Sequence, residues 1–110
     1  MAYGAIAIME DQPKLAKEII KRSIESIRKP MKRYGPYPEG YGYWHYGTTY
    51  NVMLLALLKQ MYGTDFGLSD IPGFTKSAYY IMHMIGPTLQ PFNFGDSDAG
   101  IRLNTSMFWF

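Results

Sequence analysis

The residues best equipped for chemistry crowd into one stretch, Tyr34 to Tyr50, "YGPYPEGYGYWHYGTTY". It holds six of the ten tyrosines, four glycines, two prolines, Trp44, His45 and one carboxylate, Glu39. Phenols, indole and carboxylate in one segment suit a carbohydrate. The apolar C–H face of a sugar ring stacks on Tyr and Trp, while phenol hydroxyls and a carboxylate meet its hydroxyls. Glycine lets the backbone come close to a ligand and accepts the dihedrals of a wall-forming loop. For any single tyrosine, packing of the loop onto helices is the better reading. For the whole cluster around Glu39 the two readings stand level.

Other chemistries find little support. No glycine-rich loop with a following Lys-Ser/Thr cradles a phosphate, and no GxGxxG follows a strand. His45 and His83 are far apart, with no partner at ligand spacing, so neither metal nor cofactor is expected. Asp96 and Asp98 in "GDSDAG" resemble a calcium loop, but the glycine is misplaced and the bidentate Glu is missing, which makes them turn and helix-cap residues. Without cysteine there is no thiolate chemistry and no disulfide framework, which leaves export open. The net charge of +2 is uneven: between Lys14 and Arg33 eight basic residues face two acids, a local surplus of +6. That run reads first as a solvated helix face, with an anionic partner as the second reading. Nucleic acid is not expected, because the basic residues lie on a helix with acids interleaved while the aromatics lie in a separate loop. No apolar run approaches the ~20 residues that cross a bilayer, and "MAYGAIAIMEDQP" lacks the basic and apolar regions of a signal peptide.

Three helices position these residues. The first is "DQPKLAKEIIKRSIESIRK", with Asp11 as N-cap, Pro13 in the first turn, one stripe of Leu15, Ile19, Ile20, Ser23, Ile24 and Ile27 at helical spacing, and Pro30 ending the helix. The second is "TTYNVMLLALLKQMYG", capped by Thr48 or Thr49 and closed by Gly63. Met53, Leu54, Leu55, Leu57, Leu58 and Met61 cover more than one of its faces, which predicts burial between layers. The third is "DIPGFTKSAYYIMHMIGP", capped by Asp70, opened by Pro72 and closed by Gly86-Pro87. Ala2 to Glu10 reads as the tail of a further helix, and another starts near Ala99. No segment alternates with the period of a sheet. The class is all-α: antiparallel helix pairs joined by long, aromatic, glycine-rich loops. Apolar "AIAIM" at one end and "NTSMFWF" at the other suggest one piece, 1–110, of a larger helical domain.

"YGPYPEGYGYWHYGTTY", then "YGTDFGLSDIPGF", then "GPTLQPFNFGDSDAG", a span of about Ile27 to Asp98, closely resembles the heparinase II/III-like polysaccharide lyases. The resemblance implies an incomplete (α/α) toroid, with a C-terminal β-sandwich domain of the parent absent here, and a periplasmic or extracellular parent. It implies an acidic, uronic-acid-containing polysaccharide as partner, such as heparin, heparan sulfate or alginate, cleaved by β-elimination. That chemistry needs the C5 carboxylate neutralised, a base for the C5 proton and an acid for the leaving glycosidic oxygen. A phenol of ordinary pKa about 10 is a natural acid, and a base only where cations depress that value.

Carried onto this chain, the resemblance makes Tyr43 the first choice for the catalytic Tyr and Tyr46 the second. Glu39 would act on the substrate carboxylate when protonated, or fix Tyr43 or a hydroxyl. Trp44 and Tyr41 would be stacking walls, His45 a substrate contact, and Asn93 and Asp96 part of the cleft lining. The Asn or His that the family places on an earlier helix is not evident before Tyr34, so the chain alone is expected to be inactive. The alternatives are an inactive carbohydrate-binding relative, a structural helical module, and a toroid-type glycoside hydrolase, which needs two facing carboxylates.

Overall fold

The computed structural model describes residues 1–33, 38–97, 100 and 106. Among them are four helices and no strand, so the chain is all-α: α1 (Ala2–Ala7), α2 (Pro13–Lys32), α3 (Tyr41–Tyr62) and α4 (Pro72–Met84). None of these helices is long and apolar enough to cross a membrane. The helix expected from Ala99, together with Asp98, lies outside the described residues.

In α2, Pro13 sits in the first turn as expected, but the N-cap is Gln12 rather than Asp11, with no side-chain cap. Pro30 does not end the helix. It forfeits the backbone bond that a non-proline residue would make to the Ser26 carbonyl. Met31, 1% exposed in the core, nevertheless keeps the last turn wound to Lys32. The buried stripe is also rotated from the expected one. Ala16, Ile20, Ile24 and Met31 are inside, while Leu15 is 49% exposed.

The larger correction concerns α3, which starts at Tyr41, not Thr48 or Thr49. Neither threonine caps anything. Thr48 is wholly buried mid-helix, and Thr49 Oγ1 donates 2.8 Å back to the His45 carbonyl, one turn upstream. Much of the aromatic "loop" is therefore helix. Tyr41, Trp44, Thr48, Val52, Leu55 and Leu58 are buried at spacings of three and four, one stripe running almost the whole length. Burial of that stripe outweighs the cost of Gly42 and Gly47, about 1 kcal/mol each relative to Ala. Gly63 then takes the left-handed C-terminal position at φ +71°, as expected.

The 63–71 connection is tightly specified. The Asp65 Oδ1 accepts from the Gly67 N–H at 3.0 Å, and the Thr64 hydroxyl accepts from the Phe66 N–H at 3.0 Å. Pro72 opens α4, but its N-cap is Ile71 in extended conformation, so Asp70 does not cap. α4 stops at Met84, before Gly86-Pro87. There the chain folds into a turn whose Gly86 N–H bonds the Gln90 carbonyl (2.9 Å), with an isolated bridge between Ile85 and Pro91. The first turn of α4 lies against the end of α2: a Cβ on Gly73 would meet the carbonyls of Met31 and Lys32. One core joins all four helices, centred on Met31, Leu55, Leu58, Leu68 and Phe74.

Candidate functional site

The first turn of α3 is held by a distant segment. Gly40, the N-cap, has φ +86°, and a Cβ there would lie 2.8 Å from both the Phe94 carbonyl and the Ser97 Cβ. Only glycine fits that approach. Two residues on, the Gly42 N–H, one of the four amides a helix start leaves without a partner, donates to Ser97 Oγ at 3.1 Å. A Cβ on Gly95, which sits at φ +63°, would come within 3.6 Å of the Glu39 carbonyl oxygen. "EGYG" and "FGDS", 55 residues apart between Gly42 and Ser97, thus form one unit.

On that unit an open recess of about 290 Å³ is lined by Gly42, Tyr43, Tyr46 and Asp96. Tyr43 and Tyr46 are three residues apart on the solvent side of α3, 44% and 62% exposed. Tyr50 continues the row, its ring 4.8 Å from that of Tyr46 and edge-on to it. A side-chain hydrogen bond with Tyr50, and the charge that phenol would carry when ionised, hold the Tyr46 hydroxyl above its ordinary value. Among the described residues that line the recess there is no cation, and Asp96 is the one carboxylate.

The remaining candidates are placed differently. Trp44 and Tyr41, the expected stacking walls, are 3% and 4% exposed, their rings 6.2 Å apart. Their faces are spent on the core. Burial pushes the Tyr41 phenol up, and Trp44 Nε1 has no hydrogen-bond partner among the described residues. His45 is half-buried beside Tyr41. Glu39 and Asn93 are exposed on the two docked segments, outside the recess lining. No three His, Asp or Glu side chains converge on a metal position among the described residues.

Sequence reasoning missed Tyr50 and Ser97. Tyr50 follows from Tyr46 at i+4 once α3 is started at Tyr41. Nothing local marks Ser97 as the residue that completes a helix end 55 positions away. Comparison with protein-family models, with curated proteins and with solved structures gives no match.

Proposed function

We propose that this chain contributes the saccharide-facing wall of a polysaccharide lyase, with Tyr43 donating the proton to the leaving glycosidic oxygen. The observation that carries the reading is the recess itself. Tyr43 and Tyr46 stand exposed beside Asp96, where two of the segments that resemble the heparinase II/III-like enzymes dock on each other. A phenol hydroxyl hydrogen-bonds a sugar oxygen readily and can hand it a proton. Trp44 and Tyr41 then act from beneath, fixing the helix that presents Tyr43, rather than as stacking faces. Glu39, His45 and Asn93 contact the polymer at the margin.

Among the described residues that line the recess none is a base or a cation for the substrate carboxylate, and Asp96 would oppose, not neutralise, a uronate; we assign the clamp and the base to a larger protein carrying this chain. In that protein the helices pair antiparallel within an incomplete (α/α) toroid, and its substrate, an acidic polysaccharide, places it in the periplasm or outside the cell.

One observation favours a second reading. Glu39 and Asp96 are carboxylates on segments in contact, and a toroid-type glycoside hydrolase needs two carboxylates that face each other. The experiment that separates them incubates the longer protein with heparan sulfate, heparin, alginate and hyaluronan, and follows both ultraviolet absorbance and reducing ends. Elimination raises both together, because it leaves a 4,5-unsaturated sugar. Hydrolysis raises reducing ends alone and would replace the lyase reading. Glycan binding with neither signal would leave an inactive carbohydrate-binding relative.

A further inference from the structure

A second groove lies at the other end of α3. Tyr43 and Tyr62 are nineteen residues apart on one helix, about 28 Å at 1.5 Å per residue, so the groove and the recess are separate places. This groove, about 340 Å³, has Ile20 and Ile24 of α2 as its floor and the rings of Tyr62 and Phe66, 5.8 Å apart, as one wall. Lys17, Lys21 and Arg28 stand around it against one acid, Glu25.

Phe66 is held there in an unusual way. It has φ +58°, a region that a residue with a bulky side chain occupies at a cost of about 1–3 kcal/mol. Both of its backbone groups are tied: the N–H to Thr64 Oγ1 at 3.0 Å, and the carbonyl to Arg28 Nη2 at 2.7 Å. Even so, Phe66 is not in the core but 41% exposed at the groove. A strained, doubly pinned backbone that presents an aromatic ring to solvent beside three cations is the layout of a contact surface, not of packing.

We propose that this groove binds an acidic saccharide, one sugar face lying on Phe66 and Tyr62 and its carboxylate or sulfate meeting Lys17, Lys21 and Arg28. The ring wall supplies the stacking face that buried Trp44 and Tyr41 do not, and the cation surplus supplies a charge that the described lining of the Asp96 recess does not. Choosing a saccharide over other anions with an apolar face rests on the lyase reading. The groove's preference for a negatively charged ligand does not.

The test titrates the 110-residue chain with a heparin-derived hexasaccharide and, separately, with a neutral maltohexaose, reading backbone amide shifts by NMR. Three proteins are compared: wild type, Lys17→Gln/Lys21→Gln, and Phe66→Gly. Phe66→Gly removes the ring while keeping the backbone at an allowed positive φ, and the amide spectrum of the variant itself reports whether it is folded. The expected result is salt-sensitive shifts at Phe66, Gly67 and Lys21 with the acidic hexasaccharide only, and affinity about tenfold weaker in either variant. Shifts confined to Gly42, Tyr43 and Asp96 would overturn the groove proposal while leaving the lyase reading standing. Equal binding of maltohexaose, or unchanged affinity in Phe66→Gly, would overturn it as well. Groove shifts with no elimination by the longer protein would uphold the groove and remove the lyase.

Discussion

Single residues carry the geometry of the recess. Gly40→Ala forces a Cβ into the Phe94 carbonyl and Ser97 at a positive φ, and is expected to cost about 1–3 kcal/mol. Gly4→Ala, where a Cβ meets nothing within 4 Å inside α1, should instead stabilise by about 0.5–1 kcal/mol. Urea denaturation of the pair checks both signs. Asp65 makes a pH prediction. Burial by itself would raise its carboxyl, but hydrogen bonds from Ser69 and Gly67, with the Lys59 ammonium 3.7 Å away, outweigh that and hold it below the ordinary carboxylate value. A carboxyl lowered by folding contributes stability that is complete above its unfolded pKa of about 4 and is lost as pH falls through the lower folded value. Asp65→Asn should therefore flatten the acid side of the stability–pH curve below about pH 4, and an unchanged slope would refute the assignment.

At the scale of elements, the start of α3 decides what the aromatic stretch is. Composition made it a loop, because glycine, proline and two threonines in the cap position are ordinary turn and N-cap signals. The stripe from Tyr41 to Leu58 was also in the sequence, but Thr48 occupies a position in it where an apolar residue is expected. The decisive help comes from outside the helix, through Ser97, and no local rule exposes that. Ser97→Ala should cost about 1 kcal/mol, as loss of a cap does, and hydrogen exchange should quicken at Gly42 before it does at Leu55. The helix register has its own test. Leu55→Ala, at a fully buried site, should cost about 2–5 kcal/mol, whereas Met53→Ala, 50% exposed, should stay within about 0.5 kcal/mol. Gly63 and Pro72, by contrast, were legible because each is a backbone requirement met by one residue type at its own position.

The whole molecule is drawn out, 50 × 23 × 23 Å, with a radius of gyration of 15.5 Å. A compact chain of this length would have about 13 Å. Helical content was legible from periodicity, but the elongated arrangement was not, since it depends on which faces of α3 meet neighbours. Tyr43, Tyr46, Tyr50 and Met53 are exposed along one side of α3, and the proposed chemistry sits at its N-terminal end. On the proposed function, Tyr43 is the proton donor of an elimination. The most direct measurement follows the ultraviolet absorbance of the unsaturated product in the longer protein, comparing wild type with Tyr43→Phe on the polymer that responds best. The rate should be about 10²–10⁴-fold lower in the variant, with polymer binding retained. A Tyr43→Phe protein that forms the product at the wild-type rate would contradict it.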